Sequence, residues 1–186
     1  MNIKKIMFDG ESQKGKQFFM KMVGWLDNPK RLKYNNPEKL LRGSGIQPGQ
    51  TVLEIGCGSG FFTIPAAKII GDKGKLYSID IHPVAIEETQ KKVDELSLKN
   101  VIVKKDDGMK SSFKDTMFDI VLLYGVVPAP VISMKDISKE IYRILKPGGT
   151  YAIWTMVPFW SPSEALKYAS FEKMKKFNGV FCLRKI

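Results

Sequence analysis

Apolar residues along this chain alternate between two spacings. Short β-prone apolar runs at 52–55, 76–80, 100–103, 118–123 and 151–155 read as buried strands. Between them apolar positions recur at helical intervals. They do so at Phe61, Phe62, Ile64, Ala66, Ala67, Ile69 and Ile70, at Val84, Ile86, Val93 and Leu96, and at Ile137, Ile141, Ile144 and Leu145. Strands alternating with helices imply right-handed crossovers and a parallel sheet covered on both faces. The run 118–123 is continuously apolar, as a central parallel strand should be.

The two ends of the chain are patterned differently. Phe18, Phe19, Met22, Val23, Trp25 and Leu26 fall at helical spacing, with Lys14, Lys16 and Lys21 interleaved. Three readings fit that helix: packing on the domain, a mobile cover over an active site, or a membrane-surface helix. Asp27-Asn28-Pro29 ends it as a turn, and Asn36-Pro37-Glu38 starts a second short helix through Leu41. In the tail, Asn178-Gly179 is a preferred pair for a two-residue hairpin turn and separates 171–177 from 180–185. This predicts a closing antiparallel hairpin; the rival is one helix over 163–177 and a single last strand.

The first strand runs into Glu54-Ile55-Gly56-Cys57-Gly58-Ser59-Gly60, with three glycines at every second position before a helix. Strand, glycine loop and helix make the opening unit of a nucleotide-binding α/β fold. Such glycines let the backbone turn sharply and approach a ligand without a Cβ in the way. The NAD fingerprint would need glycine at Phe61, one residue later than Gly60, so a dinucleotide is disfavoured. Asp80 ends the second strand near the offset, about 20 residues on, at which a carboxylate meets ribose hydroxyls.

This combination resembles the class I S-adenosylmethionine-dependent methyltransferases, whose first motif reads E/D-x-G-x-G-x-G. The resemblance covers about 51–155, and the lead-in Asn36-Pro37-Glu38 through Leu41 looks like small members near the quinone-biosynthesis methyltransferases. It implies a Rossmann-like, doubly wound, mostly parallel seven-stranded sheet closed by an antiparallel C-terminal hairpin. It also implies S-adenosyl-L-methionine as cofactor and S-adenosyl-L-homocysteine as product. By the same resemblance Gly56, Gly58 and Gly60 cradle the methionine end, with Glu54 reaching the amino group. Asp80 takes the ribose, Ile81 covers the adenine, and Asp107, rather than Asp106, meets its exocyclic amine beside Gly108. Tyr124 and Gly125 end the fourth strand beside the methyl group, and Leu145 to Gly149 is a structural turn before the fifth. The expected acceptor-pocket walls are Trp25, Tyr34, Tyr124 and Val126. The loop 124–130 lacks the Asn/Asp-Pro-Pro-Tyr/Phe of enzymes that methylate exocyclic base amines, so that activity is not expected.

Length and composition add bounds. The 186 residues suit a single domain: 1–50 a helical lid and lead-in, 51–155 the cofactor core, 156–186 a C-terminal helix and hairpin. No transmembrane run and no signal peptide are expected, and Cys57, Cys182 and His82 supply neither a disulfide framework nor a metal cluster. A cytoplasmic setting follows as the default. His82 has two readings, helix-start residue and general base. The net charge is +11, with ten Lys/Arg against four acids in 1–50, and six against two in 164–186. The basic flanks would suit a nucleic-acid partner, yet only four of thirty basic residues are arginine, and a lysine-rich genome gives the same count. The leading expectation is methyl transfer to a small or lipophilic acceptor. The alternatives are an RNA or protein methyltransferase and a cofactor-binding module without turnover.

Overall fold

The computed structural model describes residues 10, 12–26, 28, 30, 34–129 and 132–186, with the side chains of residues 22, 23, 25 and 26 outside the described set. In chain order the elements are α1 (Gln13–Leu26), α2 (Pro37–Gly43), β1 (Thr51–Ile55), α3 (Thr63–Ile70), β2 (Lys75–Asp80), α4 (Pro83–Glu95) and β3 (Val101–Lys105). There follow β4 (Phe118–Tyr124), α5 (Met134–Ile144), β5 (Leu145–Trp154), a 3-10 turn (Pro162–Lys167), β6 (Phe171–Lys173) and β7 (Phe181–Lys185). One seven-stranded sheet has the order β3-β2-β1-β4-β5-β7-β6. β1 to β5 are parallel, and β7 runs antiparallel to both β5 and β6. The strand order reverses direction between β1 and β4, the switch point at which open α/β sheets bind ligands.

Side-chain alternation along the strands divides the core in two. Val52, Leu76, Ile120, Leu122 and Ala152 pack with Leu40 and Leu41 of α2 and Ala66, Ala67 and Ile70 of α3. Leu53, Ile79, Val121, Leu123 and Ile153 pack with Ile137, Ile141 and Ile144 of α5. Both faces of the central strands are covered, which is why those strands read as unbroken apolar runs. α2, α4 and α5 start at side-chain caps, while α3 has none. Asn36 accepts from the Lys39 N–H at 3.0 Å, and Ser133 from the Asp136 N–H at 3.2 Å. Pro65 is the third residue of α3, where a missing N–H leaves no hydrogen bond unmade.

The tail closes as the Asn-Gly pair predicts. Asn178 and Gly179 have φ of +49° and +82°, and Phe177 and Val180 exchange backbone hydrogen bonds across them. Asn tolerates this left-handed region and glycine adopts it at no steric cost. At β5 the structure differs from the expected turn at 145–149. β5 begins at Leu145, which pairs with Phe118, and the register then shifts before Thr150 pairs with Ile120. Lys146 to Gly149 form an irregularity inside the strand, because Lys146 is held by Asp119 at 2.7 Å while Gly148 turns at φ +75°.

Candidate active site

The glycine loop is fixed by its neighbours on three sides. Below it, the Gly56 and Cys57 N–H groups donate to the Ile79 carbonyl at 2.8 and 3.1 Å. At its tip, Gly58 N–H donates to Asp80 Oδ2 at 3.1 Å. From α4, Thr89 Oγ1 donates to the Gly58 carbonyl at 3.2 Å and Lys92 Nζ to the Ser59 carbonyl at 2.7 Å. Gly56 has φ +82°, and a Cβ there would lie 2.5 Å from Val126 Cγ2. Only glycine meets both demands. Gly108 is equally confined, since a Cβ would lie 2.4 Å from Ile55 Cγ2. These close approaches bring the ends of β1, β3 and β4 together.

Glu54 is 2% exposed, and its Oε2 accepts from Thr63 Oγ1 at 2.5 Å and Ser78 Oγ at 2.8 Å. Burial pushes its carboxyl up to about 7 against the opposing effect of those hydroxyls, and the nearby Asp80 charge adds to the rise. Asp80 also accepts from the His82 N–H at 2.9 Å, and burial raises its carboxyl despite the backbone donors. Ile81 beside it is 41% exposed, an apolar side chain left in solvent after β2.

The two acids after β3 separate clearly. Asp106 accepts from Lys104 and from both the hydroxyl and N–H of Ser112. Burial opposes ionisation there, but those hydrogen bonds win and hold its carboxyl below the ordinary range. Asp107 is exposed and accepts from the Met109 N–H at 2.8 Å through Oδ1. Asp106 is thus committed to folding its own loop, while Asp107 faces solvent.

The expected acceptor walls divide. Val126 lies against Gly56 and is half-buried. The Tyr124 side chain does not line a mouth. It is buried, edge-on to Phe62 at 5.0 Å, and donates its hydroxyl to the Leu40 carbonyl at 3.0 Å, so it fastens α2 to the sheet. Burial raises its phenol far above the ordinary value, which leaves it neutral. Gly125, at φ +72°, donates its N–H to the Trp154 carbonyl at 2.8 Å and carries the chain out of β4. Tyr34 is 79% exposed and, among the described residues, is not brought against the glycine loop. The Trp25 side chain lies outside the described residues.

His82 caps α4: its Nδ1 accepts from the Val84 N–H at 3.3 Å, with Pro83 at the first helical position. Its ring is buried and stacks flat on Phe19 of α1, with centroids 3.8 Å apart. Phe19 also packs with Cys57, Val84 and Ala85, so α1 rests on the glycine loop and the start of α4. Burial drives the Cys57 thiol well above its ordinary value, which makes it a packing residue rather than a nucleophile. Among the described residues no His, Cys, Asp and Glu cluster could hold a metal.

Four contributors escaped the sequence reading: Thr63, Ser78, Thr89 and Lys92. Each had a signal. Thr63 and Ser78 are polar residues inside apolar runs, and Thr89 falls between Ala85 and Val93 on the buried stripe of α4.

Gly56 against Val126, Asp80 on the Gly58 N–H, and the exposed Ile81 and Asp107 thus stand together where the strand order reverses, the place at which open α/β sheets bind ligands. Comparison with known proteins agrees with the geometry. A family model described as a methyltransferase domain matches residues 46–185. The chain therefore belongs to the methyltransferase-domain family, and by fold it is a class I S-adenosylmethionine-dependent methyltransferase. S-adenosylmethionine is the cofactor of that class.

More particular likenesses follow. A solved S-adenosylmethionine-dependent methyltransferase from Aquifex aeolicus superposes with a TM-score of 0.73 at 28% identity, covering 88% of this chain and 96% of that one. Demethylmenaquinone methyltransferase of Geobacillus sp. (strain WCH70) is 31% identical over 113 residues, 60% of this chain and 47% of that protein. Protein-L-isoaspartate O-methyltransferase of Methanococcus maripaludis is 29% identical over 137 residues, 70% of this chain and 61% of that protein. The chain spans about half the length of the demethylmenaquinone methyltransferases it matches.

Proposed function

We propose that this protein transfers a methyl group from S-adenosylmethionine to a small or lipophilic acceptor. The observation that carries the reading is the convergence of Gly56 to Gly60, Asp80, Asp107 and Val126 at one end of the sheet. In this reading Gly56, Gly58 and Gly60 admit the methionine end, and Glu54 holds its amino group from below. Asp80 takes the ribose hydroxyls, Ile81 lies on the adenine, and Asp107 with Gly108 takes the adenine edge. When bound, the cofactor supplies a methyl group already activated by its sulfonium. The chain's task is then to align, to shield and to keep water out. That suits the residues present: Tyr124 and Cys57 are held neutral by burial, and His82 is occupied as a helix cap.

The lead-in 1–50 is read as a cover, seated through Phe19 on His82 and Cys57, over the core 51–155, with 156–186 closing the sheet edge. A lipophilic acceptor is supported by relatives named for demethylmenaquinone. The basic flanks and the protein-methylating relative support the second reading, an RNA or protein acceptor. No helix among the described residues is long and apolar enough to cross a membrane, so a lipophilic acceptor would be met at a surface.

The test is transfer of labelled methyl from S-adenosylmethionine into cell extract by the purified chain, with RNase- and protease-treated controls. Label in the organic-soluble fraction is expected. Label lost with RNase or protease would move the acceptor to RNA or protein. Cofactor binding with no label anywhere would leave a binding module.

A further inference from the structure

An exposed apolar ridge stands at the same end of the sheet as the glycine loop. β5 leaves through 155–161, where Met156, Val157 and Phe159 are exposed, Phe159 completely. Phe159 has φ +62°, a conformation bulky residues rarely adopt. Because Phe181 of β7 pairs with Ile153 of β5 in antiparallel register, the β6–β7 connection emerges at this end too. It exposes Met174 and Phe177 among Lys173, Lys175 and Lys176, with no acid from 173 to 180. The two loops are joined. Trp160 meets the Phe181 ring edge-on at 6.1 Å, and Lys176 Nζ lies 4.1 Å over that same ring.

We infer that this ridge docks the protein on an anionic lipid bilayer. Apolar side chains at protruding tips enter the boundary between headgroups and acyl chains, while flanking lysines reach the lipid phosphates. The composition argues against the other occupants. The centres of protein interfaces are depleted in lysine. Met156, Val157 and Met174 suit an acyl-chain boundary and give a base no ring to stack on, and the ridge holds no arginine. Phe159 and Phe177 alone would serve either occupant, which the RNA arm of the test separates. Docking would turn the end of β4 at Val126 toward the bilayer, so an acceptor dissolved there would reach that end of the sheet without crossing water. That consequence rests on the lipophilic-acceptor reading; the docking surface does not.

The test is sedimentation of the full chain with vesicles of phosphatidylcholine mixed with phosphatidylglycerol, against pure phosphatidylcholine. The protein should pellet with the mixed vesicles and release as salt is raised. Phe159→Ser should lower partitioning roughly tenfold. The combined Lys173→Gln, Lys175→Gln and Lys176→Gln variant should lower it on the order of a hundredfold. Both variants should remain folded by circular dichroism and keep the wild-type S-adenosylmethionine affinity. Wild-type protein left in the supernatant, or pelleting indifferent to both variants, overturns the proposal. So would an RNA oligonucleotide that the protein binds through these same residues while vesicles stay unbound. A cofactor titration on the same samples separates the two claims. Vesicle binding without cofactor binding removes the functional reading alone, and the reverse removes the ridge alone.

Discussion

Over β1, β2 and β3 the carboxyl end of the sheet is held by short directed contacts: Gly58 to Asp80, Ile79 to two loop amides, Thr89 and Lys92 to loop carbonyls. Over β4, β5 and β7 the same end carries Val126 against Gly56 and then exposed apolar loops ending at Phe159 and Phe177. The first region is shaped before any ligand arrives, which lowers the ordering cost of binding. The second offers area and little hydrogen-bonding definition. In the function proposed above, the cofactor common to a whole class meets the region of directed contacts, and the acceptor meets loops free to differ.

The contrast can be broken by substitutions on each side. Gly56→Val should have the largest effect. It forces a β-branched residue to φ +82° and into Val126, and should cost about 2–5 kcal/mol of stability together with cofactor binding. A melt and a titration would check both, and a wild-type melt would mean the loop is less confined than its contacts indicate.

Glu54 gives a pH signature of nearly that size. Its folded-state pKa of about 7 lies above the ordinary 4.5, so between those values the folded protein keeps a proton that the unfolded chain releases. Stability should therefore fall as pH rises from about 4.5 to about 7, by roughly 3 kcal/mol in all, and level off above. Glu54→Gln keeps an oxygen to accept from Thr63 and Ser78 and should flatten that slope in chemical denaturation across pH. An unchanged slope would place the titration elsewhere.

At the sheet's closing edge, Gly179→Val should lower stability by about 1–2 kcal/mol, because its φ of +82° strains any residue with a Cβ. A melting temperature equal to wild type would argue against the hairpin. On the exposed ridge, Phe159→Ser should change stability by less than about 0.5 kcal/mol. A larger loss would show that Phe159 is packed rather than presented.

The rigid region was also the readable one. Glycines at every second position after β1, and an acid at or beside the end of each of β1, β2 and β3, stand out in the local sequence, the glycines because such a backbone turn tolerates few residue types. The Asn178-Gly179 turn was legible for the same reason. What stayed hidden joins distant parts of the chain. The Tyr124 hydroxyl reaches the Leu40 carbonyl across 84 positions, and Phe19 stacks on His82 only because α1 docks where it does. Periodicity shows that such residues are buried but not against what. Tyr124 therefore read as a pocket wall, and the register shift at Lys146 to Gly149 read as a plain turn. Tyr34 carried no periodic signal and lies in solvent.

The central claim is that this end of the sheet binds S-adenosylmethionine through Asp80. Calorimetric titration of S-adenosylmethionine into wild type and Asp80→Ala tests it most directly, with NAD as the control ligand. The account predicts binding to wild type, no heat with NAD, and a loss of about 1.5–3 kcal/mol, roughly 10- to 150-fold in affinity, when the carboxylate is removed. Wild-type affinity in the Asp80→Ala protein, or no binding of S-adenosylmethionine at all, would contradict it.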